Sequence, residues 1–143
     1  MTNRLTCVIL LYMYSPSNKT QKYLELAARI AEQSNYPQFK HGAVLVKGSS
    51  VINVSPNKNG FNKFGAKFRK KKWGQATLHA ELGSVLNVEK KNTEGSTVYV
   101  VRVNRQGDIR LSKPCHMCES AMKHCGVKKV IYSTNSGFEC YKL

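Results

Sequence analysis

The sequence predicts an α/β sandwich, in which three main helices pack on a mixed sheet of four or five strands. Three observations carry this prediction: an amphipathic helical pattern leads into two β-rich runs, a second into a Val-rich run, and a third into another β-rich run. The second and third helices therefore connect strands. Such crossovers favour parallel strands with the helices packed on the sheet.

The length of 143 residues fits one domain. We expect an apolar N-terminal extension over residues 1–17 and a single domain over residues 18–143. The apolar run Leu5–Tyr14 is too short to cross a bilayer. Only Arg4 precedes this run as a basic residue, and no small-residue cleavage site follows it. We therefore expect a cytoplasmic protein that is not bound to membranes.

The first half of the domain is expected to hold a helix and a hairpin. The segment from Lys19 to Ser34 has apolar residues at helical spacing and ends before a proline. The runs Gly42–Lys47 and Ser50–Ser55 are rich in β-formers and are separated by a two-residue turn. A long loop from Pro56 to Gln75 follows.

The second half of the domain is expected to hold two helix–strand units and a short returning strand. Pro114 suits the first position of the third helix, and Gly126 suits its C-cap. The expected elements are a helix over Thr77–Val88, a strand over Ser96–Asn104, a helix over Cys115–Cys125, a strand over Val127–Thr134 and an antiparallel strand over Phe138–Leu143.

Two short motifs carry the chemistry: His79-Ala80-Glu81 and Pro114-Cys115-His116-Met117-Cys118. Each motif opens a predicted helix. If the two helices lie side by side, one imidazole and two thiols converge, a donor set that suits zinc. Helix N-termini also favour the thiolate form that binds metal.

The predicted ligands His79, Cys115 and Cys118 leave the fourth zinc position open, as catalytic zinc sites require. Glu81, two residues beyond His79, is placed to act as the general base and then as the acid. A structural zinc site is the alternative interpretation, but it needs a fourth protein ligand. Cys125 shares a helix face with Cys118, although packing in the core is its simpler role.

The order H-A-E followed by P-C-x-x-C resembles the signature of the cytidine and deoxycytidylate deaminase superfamily. The order of predicted elements from about Lys19 to Thr134 also resembles that family. The resemblance implies a three-layer, cytidine-deaminase-like sandwich with helices on both faces of the sheet. It further implies Zn²⁺, a homo-oligomer and substrate contacts from Asn57, Ala80 and Pro114.

The expected function is that of a zinc-dependent hydrolytic deaminase that converts cytosine to uracil in a nucleotide or nucleoside. An alternative is a deaminase that acts on cytosine or adenine in single-stranded DNA or RNA. A second alternative is a non-catalytic, zinc-stabilised module that binds nucleic acid. Few residues follow the predicted strand that ends at Thr134. They are too few to form the helix and parallel strand that are common in polynucleotide and deoxycytidylate deaminases.

The chain is strongly basic, with 23 Lys and Arg against 8 Asp and Glu and a formal charge of +15. Between Lys58 and Trp73 the loop interleaves basic and aromatic residues, the combination that single-stranded nucleic acid binds through phosphates and bases. A solvated loop, or a contact to one phosphate of a mononucleotide, explains the pattern equally well. The candidate contacts are Lys58, Arg69, Lys70, Lys71, Lys72 and Trp73.

Three other histidines are weaker candidates for a functional role. We expect His116 and His124 to lie at the surface or behind the site rather than to bind the metal. His41, at the start of the first strand, is a better candidate for the pocket, although ordinary packing also accounts for it.

Overall fold

A computed structural model describes residues 17–68 and 77–143. The apolar run Leu5–Tyr14 and the candidate contacts Arg69 to Trp73 lie outside the described residues. The expected division into an extension and one domain stays a prediction. No helix in the described part of the chain is long and apolar enough to span a membrane.

The described residues form five helices and eight strands. The helices are α1 (Asn18–Ala31), α2 (Lys63–Ala66), α3 (Ala80–Val85), α4 (Lys90–Thr93) and α5 (His116–His124). The strands are β1 (Lys40–Lys47), β2 (Ser50–Pro56), β3 (Lys58–Phe61), β4 (Thr77–Leu78), β5 (Thr97–Val103), β6 (Ile109–Arg110), β7 (Lys129–Thr134) and β8 (Gly137–Lys142).

The main sheet is mixed and has the strand order β2-β1-β5-β7-β8, with the short β6 paired to β5. Strands β5 and β7 are parallel, whereas β1 is antiparallel to both β2 and β5. The hairpin, the Val-rich central strand and the antiparallel final strand are confirmed. The sheet exceeds the predicted four or five strands only by the two-residue β6.

Helices cover both faces of the sheet, which confirms the three-layer sandwich. Alternation along the strands sends successive side chains to opposite faces. On one face, Val44 and Val101 pack with α1 around Leu24. On the other face, Leu45 and Val100 pack with α3 and α5.

Helix α1 approaches β1 closely because Gly42 has no side chain. A Cβ atom at this position would overlap the Ala27 carbonyl oxygen and the Ala31 amide nitrogen, and both are backbone atoms that a rotamer change does not move. Gly42 therefore sets the distance between the helix and the sheet.

We expect Gly42→Ala to lower the free energy of unfolding by about 1–3 kcal/mol, the usual cost of overpacking a core. Urea denaturation measures this loss. Ser50→Ala, at an exposed position of the same hairpin, is the control and should change the value by less than about 0.5 kcal/mol. Equal effects of the two substitutions would contradict the close packing.

The region before and within the second helix differs from the prediction. The expected loop contains β3 and α2, and β4 occupies the first residues of the expected helix. The helix itself begins after His79, which is extended at φ −70° and ψ 153°, and ends before Leu86, which is also extended. Asn87 then adopts a positive φ of 62°. The predicted helix over Thr77–Val88 is therefore too long at both ends.

Pro114 does not occupy the first position of the third helix. Cys115 is the N-cap, with extended backbone angles, and His116 is the first helical residue. Pro114 lies one residue before the cap, where its fixed φ and lack of an N–H group favour the extended entry into the helix.

Candidate active site

The two motifs lie at the same edge of the sheet. Strands β2 and β5 are each antiparallel to the β1 strand between them, so they run in the same direction and their carboxyl ends share one edge. His79 is the N-cap of α3 and Cys115 is the N-cap of α5. The side chains of both caps line one cavity together with Asn57, which directly follows β2 at this edge.

The side chains of His79, Cys115 and Cys118 can hold one metal ion. Their ligand atoms all lie within 4.8 Å of one another. His79 Nδ1 lies 3.6 Å from the Cys115 Sγ atom and 3.2 Å from the Cys118 Sγ atom. A tetrahedral zinc ion with ordinary bond lengths to nitrogen and sulfur separates such ligands by roughly 3.5 Å. The three donors therefore fit a single zinc ion.

The protonation of these side chains also suits metal binding. Hydrogen bonding from the Cys118 thiol and from His79 lowers the pKa of Cys115 to about 4. The hydrogen bond to Cys115 raises the pKa of His79. The hydrogen bond between the two thiols, together with burial, raises the pKa of Cys118. One thiolate therefore exists at neutral pH, and a bound cation would deprotonate the second thiol.

Glu81 lies in the first turn of α3 and lines a cavity of about 320 Å³ beside this cluster. Its residue surface is only 4% exposed, and burial raises the pKa of its carboxyl group. At the carboxyl end of α3, the Asn53 amide donates hydrogen bonds to the carbonyls of Gly83 and Ser84. The helix that carries Glu81 is thus tied to the sheet.

The segment that leads into Cys115 is fixed by a pair of buried serines. The Ser112 and Ser133 hydroxyl oxygens lie 2.7 Å apart, and the Ser133 amide donates to Ser112 Oγ at 2.9 Å. Ser112 also donates its amide to the Ser133 carbonyl at 2.8 Å. Since Ser133 belongs to β7, the position of Cys115 is set by the central sheet.

Asn57 lines the cavity and also holds the backbone at the start of β1. Its side-chain oxygen accepts a hydrogen bond from the His41 amide at 2.9 Å, and its amide nitrogen donates to the Phe39 carbonyl at 2.7 Å. One amide hydrogen and one lone pair of Asn57 remain after these bonds. The expected sugar contact stays a prediction.

The three remaining predicted site residues in the described part of the chain do not line the cavity. Ala80 and Pro114 are buried next to the cluster, and neither is among the residues that line the cavity. Lys58 is exposed on β3. The substrate contacts assigned to Ala80 and Pro114, and the phosphate or nucleic-acid contact assigned to Lys58, stay predictions.

Sequence reasoning missed three residues that line the cavity: Tyr36, Phe39 and Lys113. Lys113 directly precedes the P-C-x-x-C motif, and this neighbourhood is a signal that could have identified it. Tyr36 and Phe39 precede β1 in an irregular segment, and no spacing in the sequence connects them with either motif. His41, the histidine favoured as a pocket candidate, does line the cavity.

Comparisons with solved structures agree with the observed fold. The chain resembles a cyanophage S-TIM5 dCMP deaminase in complex with dCMP and dUMP, with 23% identity, a TM-score of 0.58 and 85% of each chain covered. It also resembles the cytidine deaminase from Mycobacterium leprae, with 17% identity, a TM-score of 0.52, and 87% of this chain and 94% of that chain covered.

A third similar structure is Acinetobacter baumannii RibD, with 20% identity and a TM-score of 0.51. The match covers 81% of this chain but 28% of RibD. The chain matches no curated protein sequence. The model of the cytidine and deoxycytidylate deaminase zinc-binding region matches residues 17–134, which include both motifs and nearly the whole sheet. The chain therefore belongs to the cytidine and deoxycytidylate deaminase zinc-binding family.

Proposed function

We propose that this chain is a hydrolytic deaminase that converts cytosine to uracil in a nucleotide or nucleoside. The observation that carries the proposal is the position of Glu81: a buried carboxyl group that lines a cavity together with His79 and Cys115 of the three-donor cluster. The family description, which names cytidine and deoxycytidylate deaminases, supports cytosine as the base.

Each of these residues has a distinct role in the proposed reaction. His79, Cys115 and Cys118 would hold zinc, which lowers the pKa of a water molecule toward neutrality when bound. Glu81 accepts the proton of the water that attacks carbon C4 of the base. It passes this proton to ring nitrogen N3, and it then transfers the remaining proton of the new C4 hydroxyl group to the departing amino group. Overall, one water is consumed, the C4–N bond breaks and one ammonia leaves.

The cavity suits a ligand of nucleoside size. Its volume of about 320 Å³ lies within the usual range for small-molecule sites. Aromatic side chains from Tyr36 and Phe39 meet polar groups from Asn57 and Lys113 around it. Such a lining combines apolar area for a base with polar groups that fix its orientation.

Ammonia release tests the proposal. The zinc-loaded protein is incubated with dCMP, cytidine, adenosine and a single-stranded oligonucleotide that contains cytosine. We expect ammonia and a uracil product from dCMP or cytidine. No ammonia from any substrate, together with zinc-dependent binding of the oligonucleotide, would instead favour the non-catalytic module. Ammonia from adenosine alone would contradict the choice of base.

A further inference from the structure

The His41 side chain lines the cavity but has no part in the proposed chemistry. Its Nδ1 atom lies 3.4 Å from the Phe39 carbonyl oxygen. A carbonyl oxygen only accepts hydrogen bonds, so this contact requires the proton to be on Nδ1. Burial lowers the pKa of His41 to about 4, and the ring is therefore neutral near pH 7. The other ring nitrogen, Nε2, is then an unprotonated acceptor.

The Nε2 atom of His41 has no hydrogen-bond partner among the described residues. No hydrogen bond joins it to another described residue, and Arg102 Nε is the only buried side-chain nitrogen or oxygen without a partner within residues 17–68 and 77–143. Because Nε2 is neither bonded nor among those buried atoms, it retains exposed surface on a residue that lines the cavity. An acceptor in this position is available to a ligand.

The neighbouring contacts fix the orientation of this ring. The Asn57 side chain accepts a hydrogen bond from the His41 backbone N–H and donates one to the Phe39 carbonyl. The Asn57 backbone N–H donates to the His41 carbonyl at 3.0 Å. The Phe39 carbonyl thus accepts from both Asn57 and the imidazole. Asn57 is in this respect a positioning residue for His41.

The chemistry of the substrate decides which group meets this acceptor. A cytosine joined to a sugar through N1 has N–H groups only at its 4-amino group, whereas O2 and N3 are acceptors. The 4-amino group must lie beside Glu81, where the C4–N bond breaks. A phosphate near neutral pH offers mainly acceptors. The donors that remain are the hydroxyl groups of the sugar.

We propose that His41 binds a sugar hydroxyl of the substrate through Nε2, and that the substrate therefore carries a free sugar hydroxyl. This inference rests on the proposed function and adds that the substrate must present a sugar hydroxyl, which nucleosides, nucleotides and RNA do. A cytosine in the interior of single-stranded DNA has no free hydroxyl and is disfavoured.

A double-mutant cycle between substrate and protein tests this contact. The wild-type protein and His41→Leu are assayed with cytidine analogues that each lack the 2′-, 3′- or 5′-hydroxyl, as nucleosides and, for the first two, as 5′-monophosphates. In the wild type, removal of one hydroxyl should lower kcat/KM about 5- to 100-fold, because an acceptor enclosed by the bound substrate loses its partner. His41→Leu should lower kcat/KM with the intact substrate and make it nearly insensitive to that hydroxyl.

His41→Gln retains a side-chain acceptor and is the matched control, in which part of the discrimination should return. Equal discrimination in the wild type and His41→Leu would overturn the inference. If no substrate is deaminated at all, the proposed function fails and this inference fails with it. If a substrate is deaminated but removal of the hydroxyl lowers kcat/KM equally with and without His41, only this inference is refuted.

The tautomer can be measured without any substitution. In ¹⁵N NMR spectra at pH 7, the zinc-loaded protein should show a protonated Nδ1 and an unprotonated Nε2 for His41. The two ring-nitrogen signals of His41 are assigned as those that are absent from the spectrum of His41→Gln. A protonated Nε2 would overturn the inference, since that atom could no longer accept the hydroxyl.

Discussion

Glu81→Gln should lower kcat about 10²- to 10⁴-fold while the protein still binds one zinc ion. The amide has nearly the same size as the carboxyl group but cannot take a proton from water, and general acid–base catalysis contributes a factor of this order. Because Glu81 is not one of the three clustered donors, zinc binding should not depend on it. Steady-state ammonia release and metal analysis of the purified variant measure the two quantities.

The matched control is Glu25→Gln, the same chemical change at an exposed position of α1 on the other face of the sheet. This variant should keep the wild-type kcat. If Glu81→Gln retained more than about a tenth of the wild-type kcat, another group would have to move the proton. If it lost zinc, Glu81 would be part of the metal site rather than a catalytic residue.

Cys118→Ala should abolish stable zinc binding and lower thermal stability. Cys118 is fully buried between α5 and the sheet, in the same core cluster as Ala80 and Val100. A metal that binds only the folded state at a thousandfold excess over its Kd stabilises that state by about 4 kcal/mol. For a chain of this size, its loss corresponds to a fall in Tm of roughly 10 °C.

Differential scanning calorimetry with and without a zinc chelator checks this expectation. The chelator should lower the Tm of the wild type and leave Cys118→Ala almost unchanged. Cys140→Ser is the control, because Cys140 is an exposed thiol on β8, outside the cluster. Unaltered zinc binding by Cys118→Ala would show that the ligands lie elsewhere.

The long elements could be predicted because their sequence patterns agree with their environments. The continuous Val run of β5 is covered on both faces, so nearly every position is apolar. Helix α1 buries Leu24, Ala27 and Ile30 on one side and exposes charged residues on the other. In such segments, local pattern and tertiary burial favour the same structure.

The short elements between β2 and α3 could not be predicted. Helix α2 is a single turn, too short to be stable alone, and its N-cap Asn62 accepts a hydrogen bond from Gly65. Phe64 and Phe68 pack against the main core and against each other, with ring centroids 5.2 Å apart. The core residues against which this segment packs are distant in sequence, and no periodic pattern records them.

The candidate site likewise contains residues that could be predicted from the sequence and residues that could not. The motif residues could be placed together because each motif opens a helix, and the crossover topology brings both helix N-termini to one edge. The residues that complete the cavity lie in an irregular segment whose position depends on Asn57. Only the folded register of β1 against β5 brings Phe39 within reach of Arg102, whose guanidinium carbon lies 4.5 Å from the ring centroid.

The coordination of zinc in the purified protein tests the whole account most directly, because every proposed step depends on a metal with one exchangeable position. X-ray absorption spectroscopy should detect one zinc ion with two sulfur ligands, one imidazole nitrogen and one light atom from solvent. A first coordination sphere filled by four protein side chains, or one with fewer than two sulfurs, would contradict it.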